Sequence, residues 1–323
     1  MRKIEVMGSG YARPQHRIDN QDLETILDTS DEWIVQRTGI HSRYVSTEET
    51  TSMLAARAAQ AALDNAGVDK EAIALLIVAT LSGDQPMPST ACLVQEQLGM
   101  MDQDLMAFDL NAACSGFLFA LQCASAMLED GQCALIIGAE NLSKVIDWTD
   151  RGTSILFGDG AGAMIIRKGA QGKESWHFAR SKGDPNRVLD IPGKTLSDVP
   201  CRNVAEHYRY LSMDGREVFR FAVGAMQEAI EEVLKRAGKT IDEANLIIPH
   251  QANIRILAAV ARHMGLPMER FFVNLDEFGN TSAASVPIAF AQAMEQGRLS
   301  KGMNVILVGF GGGLTYGASW LEL

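Results

Sequence analysis

The chain has 323 residues, of which 47% are hydrophobic and 21% charged, and its formal net charge is -11. This length and apolar content suffice for one large core or two fused ones, which excludes disorder as the default, and the negative balance disfavours a protein that coats nucleic acid. No apolar run reaches the roughly eighteen residues of a membrane span, and the N-terminus MRKIEVMGSGYARP lacks the apolar stretch of an export signal. A soluble, cytoplasmic chain without membrane insertion is therefore expected. Its five cysteines include no CxxC pair, which fits reduced thiols and no metal site.

In chain order, the helical segment AALDNAG leads into the strand-like run LLIVAT (75–80). FDLNAACSGF then turns into the apolar helix FLFALQCASAML, followed by the runs ALIIGAE (134–140) and AGAMIIR (161–167). The glycine cluster FGDGAGAM from Phe157 lacks GxGxxG spacing and reads as a tight turn rather than a nucleotide loop. Residues 168–210 show no clear period and hold many loop formers. Beyond them the helix AIEEVLKRAG precedes NLIIP (245–249), an amphipathic helix follows His250, and NVILVGF (304–310) runs into the glycines of VGFGGGLTYG. The alternation implies a layered α/β architecture, with halves 1–168 and 169–323.

The halves resemble each other. AALDNAGVDKEAIALLIV aligns with AIEEVLKRAGKTIDEANLIIP, pairing Gly67 with Gly238 and Leu75 with Leu246, each 171 apart. Further on, Gly131 pairs with Gly297, 166 apart, and the same offset lays Cys114 on Asn280.

Three of these positions can carry chemistry. Cys114 falls where a strand gives way to a helix, and unpaired N–H groups there stabilise a thiolate and lower its pKa. Gly116 permits close approach of backbone or substrate. A free cysteine ordinarily packs as a small apolar side chain, and Cys92, Cys123 and Cys133 fit that role; Cys201 falls in a loop without a recognisable partner. His250 directly follows a buried-strand pattern, where layered α/β proteins bind ligands, and an imidazole there can hydrogen-bond or move a proton. Asn280 opens a helix and could simply cap it; its place opposite Cys114 in the repeat marks it as more. The glycine run 309–317 can bring bare N–H groups to a substrate carbonyl, with the Cys114 amide as a second donor.

DTSDEWIVQRTGI (28–40), AACSGF around Cys114, DWTDRGTSILFGDGAGA from Asp147, HQANIRI from His250, GNTSAAS from Gly279 and FGGGLTYG from Phe310 together resemble beta-ketoacyl-acyl-carrier-protein synthase III. The resemblance runs from Ile18 to the C-terminus and leaves 192–207 unmatched. It implies a five-layered αβαβα thiolase-like fold of two duplicated halves, a homodimer, and Cys114, His250 and Asn280 as the catalytic residues. It further implies that Cys114 takes a short acyl group, acetyl for preference, from acyl-coenzyme A. Decarboxylation of malonyl-acyl carrier protein would then yield 3-oxoacyl carrier protein, with no cofactor beyond these substrates. Asn280 within GNTSAAS argues against a Cys-His-His elongating synthase or a Cys-His-Cys thiolase.

By the same resemblance, the amides of Cys114 and Gly312 form the oxyanion hole, and Trp33, Arg37, Arg151 and Asn253 bind coenzyme A. The indole and a guanidinium would sandwich adenine, Arg37 would meet phosphate, and Asn253 the pantetheine arm. Arg255, Arg262 and His263 would supply the basic surface that an acidic carrier protein needs. Phe310 would wall the acyl pocket beside the nucleophile, and Met87 would reach across the dimer to cap the partner's pocket. A cysteine hydrolase with Cys, His and Asn in the same chain order is the nearest rival, which the internal repeat disfavours. A non-catalytic acyl-coenzyme A-binding relative is the second, disfavoured by the intact triad.

Overall fold

The computed structural model describes residues 2–193 and 210–323. Cys201 and most of the unmatched 192–207 stretch lie outside the described residues. Nine strands form one hydrogen-bonded sheet: β1 (Arg2–Ala12), β2 (Ile73–Ala79), β3 (Met106–Leu110), β4 (Cys133–Glu140), β5 (Gly160–Lys168), β6 (Lys173–Ser181), β7 (Leu246–Pro249), β8 (Asn304–Gly311) and β9 (Thr315–Glu322). Their order is β7-β8-β9-β6-β1-β5-β4-β2-β3.

Outward from β1, the neighbours β5 and β4 pair antiparallel, and β2 and β3 follow in parallel. Outward from β6, β9 and β8 pair antiparallel and β7 follows in parallel. A parallel bridge from Ile247 to Phe271 stands where the counterpart of β3 would run. One pairing pattern thus occurs twice, joined where Arg2 faces Ser175 and Ile4 faces Lys173.

Seven helices complete the layers: α1 (Asp31–Thr38), α2 (Thr51–Ala66), α3 (Thr90–Gln97), α4 (Gly116–Met127), α5 (Gly215–Ala237), α6 (Ile254–His263) and α7 (Ser285–Glu295). Helices α4 and α7 lie between the two sets of strands and touch both, α2 and α3 cover the outside of the first set, and α5 with α6 covers the second. The result is the αβαβα order. Covering on both faces explains the unbroken apolar runs. In β4, Ala134 and Ile136 join the middle core with Phe117 and Phe290, whereas Leu135 and Ile137 join Leu54 and Ala58 outside.

The middle layer lies flush on the sheet, so glycine is required where helix backbone meets strand. A Cβ on Gly138 would fall 2.2 Å from the Ala283 carbonyl oxygen, and one on Gly162 2.4 Å from the Ile288 nitrogen. Gly67 and Gly238 both close helices in the left-handed region, at φ +59° and +66°, as equivalent positions of a repeat would.

The second offset needs correction. The one-turn 3₁₀ segments Ala113–Ser115 and Ser282–Ala284 each introduce a middle helix, and each opens on a non-glycine residue of positive φ, 46° at Ala113 and 48° at Ser282. Ala113 therefore matches Ser282, 169 apart, and Asn280 matches Asn111 rather than Cys114. The side chains agree: Asn111 Oδ1 accepts from the Ala113 amide at 3.0 Å, and Asn280 Oδ1 from the Ser282 amide at 2.9 Å. Among the described residues, no helix is long and apolar enough to cross a membrane.

Candidate active site

Parallel strands deliver their carboxyl ends to one place. The Ala113–Ser115 turn beyond β3 carries Cys114, β4 ends on Glu140, His250 follows β7, and β8 ends on Gly311. Asn280 precedes the turn that packs against the Cys114 turn. The end of β8 passes between nucleophile and imidazole: a Cβ on Gly309 would lie 3.4 Å from the His250 Cβ and 3.8 Å from the Cys114 carbonyl oxygen, and one on Gly311 only 2.6 Å from the Cys114 nitrogen. The last contact is with backbone, so Gly311→Ala must displace the nucleophile turn. Labelling of Cys114 by acyl-coenzyme A should fall by about tenfold or more, since small misplacements cost rate heavily, while circular dichroism reports a retained fold; labelling at the parent rate would contradict the contact.

Cys114 is buried, and burial pushes its thiol up to about 12, with the Glu140 charge adding to the rise and the Ser282 hydroxyl opposing it. The expected lowering at a helix start is thus overturned. The residue sits in the turn ahead of α4, where loss of solvent is the largest influence on the thiol.

His250 is 1% exposed; its amide donates to the Val308 carbonyl at 2.7 Å, and its Nδ1 lies 2.6 Å from Ser285 Oγ. Burial drives the imidazole from 6.5 down to about 3, so it is neutral at pH 7. Phe310 packs edge-on against it, ring centroids 5.3 Å apart. Asn280 is fixed at both backbone ends, its amide donating to the Leu156 carbonyl at 2.8 Å and its carbonyl accepting from Gly158 at 3.1 Å. With Oδ1 taken by Ser282, Nδ2 is the side chain's remaining donor.

Glu140, fully buried, was not among the expected site residues. It accepts from the hydroxyls of Ser82, Thr80 (3.3 Å) and Ser282 (3.0 Å) and from the Leu81 amide at 3.2 Å. Burial raises its carboxyl to about 7 against these bonds. An apolar strand run closing on a carboxylate, ALIIGAE, is the signal that points to it. Ser285, the counterpart of Gly116, has only its place in GNTSAAS.

At the periphery, Trp33 on α1 is held between cations, with the Arg37 guanidinium carbon 4.2 Å and that of Arg151 4.5 Å from the ring centroid. Arg151 also donates to the Asp28 carbonyl at 2.7 Å. Asn253 caps α6, its Oδ1 accepting from the Arg255 amide at 2.8 Å, and its Nδ2 donates to the Arg37 carbonyl at 3.0 Å. It therefore ties α6 to α1, the helix that carries Trp33 and Arg37. Arg255, Arg262 and His263 are exposed, opposite the buried Ile256, Leu257 and Val260 of α6. Gly312 follows the strand end, its Cβ direction facing the Leu189 carbonyl oxygen at 3.3 Å and the Ala113 Cβ at 3.7 Å. Met87 is 85% exposed, in the loop before α3.

A thiol and a side-chain amide at paired middle-layer turns, with a neutral imidazole following β7, fit a condensing enzyme of the thiolase fold. Models of the 3-oxoacyl-[acyl-carrier-protein (ACP)] synthase III family match residues 108–198, and those of its C-terminal part match 234–323. The chain is 44% identical to the beta-ketoacyl-[acyl-carrier-protein] synthase III of Clostridium perfringens strain SM101 over 328 residues, covering 100% of both chains. It is also 44% identical to that of Acholeplasma laidlawii, covering 99% of this chain and 98% of the relative. Among solved structures, the 3-oxoacyl-[acyl-carrier-protein] synthase III of Aquifex aeolicus superposes with a TM-score of 0.90 at 42% identity, covering 99% of this chain and 100% of the other. The priming beta-ketosynthase of the R1128 polyketide pathway gives 0.91 at 34%, covering 100% and 96%. The chain belongs to the beta-ketoacyl-acyl-carrier-protein synthase III family, and it is a condensing acyltransferase.

Proposed function

We propose that the chain initiates fatty-acid synthesis by joining a short acyl group, acetyl for preference, from acyl-coenzyme A to malonyl-acyl carrier protein. The products are 3-oxoacyl carrier protein, coenzyme A and carbon dioxide. The observation that carries this reading is a buried neutral imidazole and a fixed side-chain amide, carried on the strand ends and turns that also carry a buried thiol. His250 Nδ1 and the Ser285 hydroxyl are hydrogen-bonded; with Ser285 assigned as the donor the proton of the neutral ring stands on Nε2, and a Ser282 amide held by Asn280 Oδ1 leaves Nδ2 as donor. Two uncharged donors suit the enolate oxygen that develops as malonyl loses carbon dioxide.

In the first half-reaction the Cys114 sulfur attacks the acyl carbonyl carbon and coenzyme A leaves with the bonding pair; in the second, the malonyl carbanion attacks the resulting thioester and expels Cys114. The amides of Cys114 and Gly312 hold the oxyanion in both transfers. Phe310, beside His250, keeps the site apolar where carbon dioxide departs. The Trp33 face, shared by Arg37 and Arg151, takes the adenine once one guanidinium yields its side, and Arg37 meets a phosphate. Asn253 presents its side chain to the pantetheine arm.

The exposed Arg255, Arg262 and His263 receive the acidic carrier protein on an enzyme that is otherwise negative. No cofactor enters these steps, and the thiol chemistry suits a reducing cytoplasm. The halves 1–168 and 169–323 are supported by β5 ending at Lys168 and β6 opening at Lys173. A homodimer is supported by the edge position of β3 and by exposed methionines nearby, Met87, Met101 and Met106; Met87 would cap the partner's acyl pocket.

Incubation with radiolabelled acetyl-coenzyme A tests the reading. A protein-bound, hydroxylamine-sensitive label that is blocked by iodoacetamide and discharged into 3-oxoacyl product by malonyl-acyl carrier protein is expected. Isobutyryl- and octanoyl-coenzyme A should label more slowly. Peptidase or esterase turnover without a carrier would overturn the reading.

A further inference from the structure

Arg43 is a fully buried cation that none of the steps above uses. It lies on the short strand Ser42–Tyr44, which pairs antiparallel with Arg17–Asp19, Arg43 facing Ile18. Its Nη1 donates to Asn20 Oδ1 at 2.8 Å and its Nη2 to the Ile155 carbonyl at 2.7 Å. Both acceptors are neutral, and its Nε has no partner among the described residues. Burial lowers the guanidinium to about 10, with Asp19 and Asp22 opposing the fall, so it remains charged at pH 7. A charge buried against neutral acceptors costs stability, and an apolar side chain of similar length would fill the space without that cost. What the cation supplies is geometry, a rigid fork whose nitrogens fix two acceptors on separate segments.

Each acceptor leads to one side of the Trp33 indole. Asn20, 1% exposed, passes the contact on through Nδ2, which donates to Asp31 Oδ1 at 2.8 Å and to the Ile40 carbonyl at 2.7 Å. Asp31 is the first residue of α1, and Ile40 follows its closing Gly39. Asn20 therefore grips both ends of the helix that carries Trp33 and Arg37. Ile155 caps the helical turn Arg151–Ser154, whose Arg151 guanidinium carbon stands 4.5 Å from the indole centroid. The path from Asp31 through Asn20 and Arg43 to Ile155 is thus one hydrogen-bonded strut between α1 and the Arg151 turn. The direct tie across the same gap, from Arg151 to the Asp28 carbonyl, is exposed to solvent.

We propose that Arg43 is a positioning residue for the coenzyme: it holds the segments bearing Trp33 and Arg151 in register, so that the indole and guanidinium planes close on one flat base. It thereby sets affinity for the nucleotide end of acyl-coenzyme A without touching the reacting atoms, because segments already in place need not be ordered on binding. The inference rests on the reading of Trp33 and Arg151 as the adenine site. Asn280 is held separately, by backbone bonds to Leu156 and Gly158 that do not pass through Arg43. Cutting the strut therefore leaves the condensation donors in place.

Steady-state condensation at saturating malonyl-acyl carrier protein, with acetyl-coenzyme A or with acetyl-pantetheine, which lacks the nucleotide, tests the strut. Arg43→Met should raise KM for acetyl-coenzyme A by about tenfold or more with kcat within about threefold, and should leave kcat/KM for acetyl-pantetheine within about twofold. Arg43→Lys, which keeps the charge and reaches one acceptor, should fall between. Should Arg43→Met not fold, Asp31→Ala cuts the strut at its outer end. Removing that negative charge alone would favour an anionic coenzyme. A raised KM in Asp31→Ala beside a parent-like Asp31→Asn, whose Oδ1 still accepts from Asn20, therefore reports the hydrogen bond. Equal loss with both acyl donors, or an unchanged KM for acetyl-coenzyme A, would overturn the proposal. A Trp33→Ala enzyme with the parent's KM for acetyl-coenzyme A would instead overturn the coenzyme site itself.

Discussion

Cys114→Ala is expected to abolish acyl labelling while still releasing carbon dioxide from malonyl-acyl carrier protein, and His250→Ala is expected to do the reverse. The asymmetry follows from where each group acts. On the proposed mechanism the thiol forms a bond only in the first half-reaction, and removing it leaves both enolate donors in place. On the same proposed mechanism His250 acts as a neutral Nε2–H donor, its Nδ1 lying 2.6 Å from the Ser285 hydroxyl. Loss of one oriented donor to a developing oxyanion costs on the order of 10²–10³ in rate. Asn280→Ala should cost a similar factor, and the double variant little more than either alone, because two donors on one oxygen act as a unit. Ser285→Ala, which frees the ring to turn without removing it, should lose about tenfold. Labelling of the protein with acetyl-coenzyme A and release of radiolabelled carbon dioxide, measured on the same preparations, separate the two halves. Parallel loss of both in His250→Ala would remove the case for a role confined to decarboxylation.

Much of the scaffold was legible because burial on both faces writes itself into a run of apolar residues. ALIIGAE and NVILVGF are strands wherever sheets are covered twice, and Gly67 and Gly238 end helices in the same left-handed geometry. The register of the duplication was less legible. Alanine-rich helices tolerate a slip of three residues without changing character, so an offset of 166 matched glycines well enough, whereas the matched backbone at Ala113 and Ser282 requires 169. Asn280 keeps its place in the proposed site, because its side chain braces the turn facing the nucleophile. The thiol's protonation was misjudged because local sequence reports a helix start and is silent on what packs over it. Glu140 is the sharper case: its partners lie 58 to 142 positions away, and only the folded chain brings Ser82 and Ser282 to one carboxylate.

Acid should unfold this protein through its histidines. Between about pH 6.5 and 3 the folded state keeps His250 neutral while the unfolded chain protonates it, so stability falls as pH drops through that window. His177, buried and lowered to about 4 chiefly by desolvation, with Arg2 adding, contributes in the same direction. Glu140 works the other way: its carboxyl is raised from 4.5 to about 7, so the folded state binds the extra proton there and stability rises as pH falls across that range. Asp159, also raised by burial, has the same sign as Glu140. At about 1.4 kcal/mol per pH unit for each proton, His250 amounts to roughly 4–5 kcal/mol at the bottom of its window, more than Glu140 returns over its shorter one. Resistance to urea should therefore change little between pH 7 and 6 and drop steeply below about 4.5, where Glu140 has no more to give. His250→Gln should flatten that drop and His177→Gln should do so less, read from urea midpoints at half-unit steps of pH. An unaltered slope in His250→Gln would show that the imidazole is not held neutral. On the proposed mechanism the consequence reaches catalysis, because the same burial keeps the ring that offers its Nε2 proton to an enolate uncharged well below pH 7. Gain of acid resistance together with loss of carbon dioxide release, in one variant, is what a single cause requires.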